Sequence, residues 1–472
     1  MQTAFRALAM LLALGPAAAA AEATADQAAT LQAQVQAALR DQFRGLGGTE
    51  APTVRVRPAG DHYDVTVTVD SQDATATARQ TADGAWAVDA IHLPSPATFK
   101  FAGPQGGRQV AIDIGTQDAR AVSLPGFTMA ASFLGHYTAV SVASTGPQGR
   151  MVSHIDDWTI SGAATKQSNG TIDVTDTLSA TGYRVTSHTP DGMDGRIQAR
   201  RSDLRLKIAS LSPAAASAVS GAWARLAAGL YPSLRAGTRP AWDDGTRSAA
   251  HDLVLSLDGL LQGLDLAGAA DGLSIESAGS ALGLAHAGLG LTAAAPQGLL
   301  DARLSVELAG LSVSDVPRAQ GGDLIPRNLY VQPVLSGVDL QALRRIALSV
   351  TAEGSAWPDG FVQLLALLSQ GGIGLGLEHI ALDVGPAHIA GGLHAQLAGL
   401  TTNSGEGRIT ATGFDALLAR MQDVPAAAGL RRALVGLRAA AREEGAALVW
   451  DLALKDSRLL VNGTDLATLR QP

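Results

Sequence analysis

The chain contains no cysteine, which removes thiol nucleophiles, Cys-ligated zinc or iron–sulfur centres, structural disulfides and any cysteine-borne lipid anchor. Lysine is nearly missing as well: Lys100, Lys166, Lys207 and Lys455 are the only four among 35 basic residues, and 43 acidic residues bring the formal net charge to −8. Binding a polyanion such as nucleic acid rests on clustered cations, so that class of partner is disfavoured. Aromatic residues make up only 4% of the chain, too few to furnish the two girdles of an outer-membrane barrel. Long hydrophobic runs are absent too. Two uncharged stretches, 277–300 and 361–377, are rich in Ala, Gly, Ser and Gln and are expected as buried structure; no transmembrane segment is expected in the mature chain.

Catalytic signatures are also missing. There is no G-x-S-x-G elbow, phosphate-cradling loop, H-E-x-x-H pair or calcium loop. Gly372, Gly374 and Gly376 alternate too tightly for a dinucleotide fingerprint and read as strand-entry glycines. The chain is therefore expected to be no enzyme and to need no cofactor or metal.

What is present begins with a segment that reads as an export signal. Arg6 supplies a positive n-region, residues 7–14 an apolar segment, and 17–21 a small-residue stretch suited to cleavage near Ala21, so a periplasmic mature protein is expected. A helix follows over 26–44, with Leu31, Val35, Leu39 and Phe43 recurring every fourth residue. Val65, Val67 and Val69 alternate with threonines, as do Ala74, Ala76 and Ala78, which predicts an antiparallel meander with turns at 70–73 and 83–84. Further strands are expected at 85–91, 152–160, 171–178, 183–187 and 204–208, with Asn169-Gly170 as a hairpin turn. Ser212-Pro213 opens a helix expected to stop at Pro232.

The second half repeats the strand pattern in leucine-rich form. Leu253, Leu255 and Leu257 alternate, as do Leu304, Val306 and Leu308, Ile346, Leu348 and Val350, and Ile389, Leu393 and Leu397. Turns containing Gly259, Gly310, Gly337 and Gly399 are expected to end strands, helices are expected near 340–345, 361–368, 414–421 and 426–442, and strands 447–454 and 458–461 close the chain. The resulting expectation is an α+β, β-rich protein: two halves of long twisted antiparallel sheet with packed amphipathic helices and an apolar groove. Its divisions are a signal over 1–21, an N-terminal domain over 22–211, a helix and boundary loop over 212–247, and a C-terminal domain over 248–472.

Polar clusters admit ordinary and functional readings side by side. His154 and Asp156 would share a strand face, with Asp157 on the other, as a metal or acid–base pair or as a solvated face beside Trp158. His379, His388 and His394 fall in one hairpin, as zinc ligands or surface histidines; Asp243-Asp244 reads as a solvated loop or a helix cap. The apolar strand faces form either plain core or a lipid-holding surface lined by Leu382, Val384, Leu393 and Leu397 together with Leu304, Val306 and Leu308.

Residues 372–469 resemble the C-terminal part of an exported alphaproteobacterial family known as domain of unknown function 2125. The resemblance is carried by residues 376–386 (GLEHIALDVGP) and 407–414 (GRITATGF) leading into Asp415, with Ile325-Pro326-Arg327 and residues 336–340 (SGVDL) also similar. That family is itself loosely similar to AsmA-like envelope proteins, whose long sheets form apolar grooves for lipids, which implies a lipid or other apolar envelope component as ligand to be bound or moved; the alternative, which does not rest on the resemblance, is a scaffold or assembly factor that binds an envelope protein and no lipid.

Overall fold

The computed structural model describes residues 23–45, 52–69, 71–81, 85–101, 107–123, 130–147, 149–192, 194–235, 243–277, 279–314, 316–317, 320–352, 372–397, 403–455 and 458–465. The predicted signal, the turn residues 70 and 83–84, the helix expected at 361–368 and Gly399 lie outside them. The chain divides into two compact units: the first runs to Gln262 apart from Ile197–Arg200, and the second comprises those residues and Gly263–Pro472.

The first unit opens with helix α1 (Ala25–Gly45) and strands β1 (Thr53–Ala59), β2 (His62–Val69), β3 (Gln72–Gln80) and β4 (Trp86–His92). The four-residue period predicted for α1 is what buries it: Leu31, Val35 and Leu39 are at most 2% exposed, packed against Val54, Tyr63, Val65 and Val88. Short strands β5 (Ala97–Phe101), β6 (Arg108–Asp113) and β7 (Thr116–Ser123) follow, a stretch with no clear strand signal in the sequence. Four long strands then run antiparallel: β8 (Ala130–Gly146), β9 (Gly149–Lys166), β10 (Ile172–His188) and β11 (Asp194–Leu211). The segments predicted at 171–178 and 183–187 are thus one strand. β6 and β7 share one edge of β8, β9 takes the other, and β9 pairs onward with β10 across the expected Asn169-Gly170 turn. Tyr137 and Trp158 meet in this core at 5.8 Å between ring centroids, and burial, with Asp118 nearby, pushes the Tyr137 hydroxyl up to about 12.

Helices α2 (Pro213–Arg235) and α3 (Asp244–Ser256) complete the unit, closing on Leu226, Ala249 and Ala250. Two expectations change here. α2 continues three residues past Pro232, since helix ends fray and are poorly fixed by composition. Leu253 and Leu255 are helical rather than on a strand, because Asp243 caps α3 by accepting the Thr246 N–H at 2.7 Å and helical spacing aligns Leu253 with Ala249 and Ala250. Leu255 and Leu257 are left 43% and 50% exposed, and the Gly259 turn follows a helix, not a strand.

The second unit is an antiparallel run of β12 (Gly263–Ser277), β13 (Ser280–Ala294), β14 (Leu299–Ala309), β15 (Ser312–Val313), β16 (Pro326–Asp339), β17 (Ile373–Val384), β18 (Ala387–Leu397), β19 (Ser404–Thr412), β20 (Arg442–Glu444), β21 (Ala447–Lys455), β22 (Arg458–Val461) and β23 (Thr464–Asp465). Ladder order is β12-β13-β14-β16-β17-β18-β19-β21, with β15 also on β13, β20 and β22 on β21, and β23 on β22. Helix α4 (Leu340–Thr351) follows β16, and helices α5 (Phe414–Gln422) and α6 (Ala428–Ala439) separate β19 from β20. Ile346, Leu348 and Val350, read as a strand, belong to α4: the Asp339 carboxylate accepts the N–H groups of Gln341 and Ala342 at 2.8 and 3.0 Å, and the nucleated helix runs on to Thr351. Helix α6 is shorter than the expected 426–442, because Arg442 already pairs with Val449. Gly337 lies inside β16 rather than ending it.

Candidate apolar face and its polar reverse

Strand alternation gives the second-unit sheet one aliphatic and one polar face, and the register decides which residues stand together. Leu289, Val306, Val331, Ile380, Gly391, Ile409 and Trp450 are direct cross-strand neighbours in one row. The adjacent row is Ala287, Leu308, Leu329, Leu382, Ile389, Ala411 and Leu448. On the other side lie Pro333, Leu377, Leu393, Gly407 and Leu452, and beyond them Ala302, Leu335, Leu375, Ala395, Gly405 and Leu454. From β12 to β18 this face spans six strands, roughly 24 Å at about 4.8 Å per strand.

Coverage of the face is uneven. At its α5–α6 end it is a core: Phe414, Leu418 and Leu434 pack on Ala411, Leu448, Trp450 and Val461, and the Trp450 indole donates to the Leu437 carbonyl at 2.8 Å. Elsewhere it is half-open, apart from Ile373 at the start of β17, which is buried. Among the described residues from 263 to 337 none is buried, and Leu289, Leu304 and Leu375 are 50%, 37% and 41% exposed. Glycines shape the far side: a Cβ on Gly407 would come within 2.7 Å of Leu393 Cβ, and one on Gly405 within 3.0 Å of Ala395 Cβ. Side-chain directions therefore converge across β18 and β19, and only residues without side chains fit between them.

Six of the seven residues predicted to line an apolar site belong to the half-open part or its margin. Leu304 pairs with Leu291, Val306 with Leu289 and Val331, Leu308 with Leu329, Leu382 with Leu329 and Ile389, Leu393 with Leu377, and Leu397 with Ile373. Val384 is placed differently, against the closed cluster of Ala387, Leu417 and Met421. The residues missed are on β12, β13, β16 and β17. Leu264, Leu266, Leu289 and Leu291 do alternate, but interspersed Ala and Gly dilute the signal. On β17 the period breaks at a bulge opposite Gln332 and Pro333, which shifts Leu375 and Leu377 out of phase with Ile380 and Leu382. A proline inside a sheet supplies no ladder N–H, and a bulge is where that is tolerated.

The bulge serves the reverse face. Glu378 there receives a two-pronged pair from Arg303, at 2.9 and 2.8 Å, and those hydrogen bonds hold its carboxyl below the usual range. Nearby, the Asp383 carboxylate accepts from Asn328 at 2.7 Å and meets His388 at 2.5 Å; the Asn328 hydrogen bond first, then His388, lowers its pKa. Asp271 and His286 form a similar cross-strand pair at 2.6 Å. The three histidines of the β17–β18 hairpin do not converge: His388 is taken by Asp383, His379 leans on Tyr330 with ring centroids 6.4 Å apart, and His394 stands opposite Glu406.

In the first unit, His154 and Asp156 do share a face, 3.1 Å apart, and Asp156 also pairs with Arg184. Asp157 points the other way, to His136 at 2.6 Å. Each of these contacts is a hydrogen bond between partly exposed side chains, one set on either face of β9. No group of three His, Asp or Glu side chains that could hold a metal ion occurs among the described residues, and no helix among them is long and apolar enough to cross a membrane. No protein-family model, curated protein or solved structure matches the chain.

Proposed function

We propose that this is a non-enzymatic, exported protein that binds a lipid or other apolar component of the cell envelope and helps to move it. The observation carrying this reading is the aliphatic face of β12–β18, over which no described residue between 263 and 337 reaches burial. A monomeric soluble protein rarely leaves more than a few hundred Å² of contiguous apolar surface without a partner. Its lining of Leu, Val, Ile, Ala and Pro offers dispersion contact and no side-chain hydrogen bond, which suits hydrocarbon. The export signal expected over residues 1–21 is part of the same reading, since it would bring the chain to the compartment of such a ligand.

The test is binding of a fluorescent fatty acid to the full-length mature chain. Leu304→Asp and Leu393→Asp, each placing a carboxylate on the face, are expected to lower affinity at least tenfold while leaving circular dichroism and the urea midpoint nearly unchanged, because neither side chain is buried. Unchanged binding in both variants contradicts the proposal. A lipid-free protein of full stability that crosslinks to one envelope protein would instead support a scaffold or assembly factor.

A further inference from the structure

We draw no further inference here: the strongest candidate, the half-open aliphatic face on strands β12 to β18 of the second unit, belongs to the site on which the proposed function already rests, and nothing else in the structure shows what covers it.

Discussion

Ala139 interrupts β8 with a φ of +49°, a left-handed conformation that an L side chain resists. Such a conformation costs about 1–2 kcal/mol for alanine, and the entropy that glycine gives up on ordering is about 0.5–1 kcal/mol. Ala139→Gly is therefore expected to stabilise the first unit by about 0.5–1 kcal/mol, read as a higher urea midpoint; a lower midpoint would mean that the alanine methyl makes contacts worth more than the strain. Asp383 has a second residue-scale consequence. Its folded pKa is lowered by Asn328 and then His388, so its stabilising contribution is present above the unfolded value and lost as pH falls through the folded one. The urea midpoint of Asp383→Ala should lie below that of the parent at pH 7, and the gap should close as pH drops below about 4. A gap that persists undiminished to pH 2 would assign it to lost packing instead.

Among the elements, α1 does two jobs with two faces. Its apolar stripe fills the core, while the carbonyls of Gln36 and Gln32 accept the N–H groups of Val54 and Val56 at 2.8 and 3.1 Å, and the Gln36 amide donates to the Pro52 carbonyl. These glutamines occupy polar groups along β1 that would otherwise invite another strand. Replacing Gln32 or Gln36 by Ala should cost about 1–2 kcal/mol each by orphaning a backbone donor, and hydrogen exchange should quicken at Val54 and Val56. Gln34→Ala should leave those amides unaffected; equal protection in all three variants would show that the helix merely shields β1 by bulk. The stripe of α1 was legible in the sequence because its period is strict and its residues large. The edge-capping glutamines were not, since nothing local distinguishes Gln32 and Gln36 from Gln34.

The same contrast explains which elements were foreseen. Val65, Val67 and Val69 signal a strand unambiguously, being β-branched and alternating. Leucines 253–257 and residues 346–350 alternate too, but Leu favours helices, and Asp243 and Asp339 are caps whose effect overrides a period of two. At the candidate site, Leu304, Val306 and Leu308 were visible as an alternation. Their neighbours on β12 and β13 were hidden by small residues, and those on β17 by a bulge that only the register reveals.

At the scale of the whole molecule, burial is unequally shared. The first unit has an extended core from Ala28 to Ala180, whereas the buried residues of the second gather near α5 and α6, with Val338, Ala342 and Ile373 buried at the end of β16, on α4 and at the start of β17, and leave β12–β14 without any. Sheet whose aliphatic side chains are only half-buried draws less stability from burial than a closed core does, and the half-open face is the surface on which the proposed ligand would act. Native mass spectrometry of the full chain, gently purified from the cells that make it and followed by organic extraction, tests this most directly. A lipid or other apolar envelope molecule released at defined stoichiometry is the predicted result. A uniformly ligand-free mass, unchanged after incubation with lipid vesicles, would contradict it.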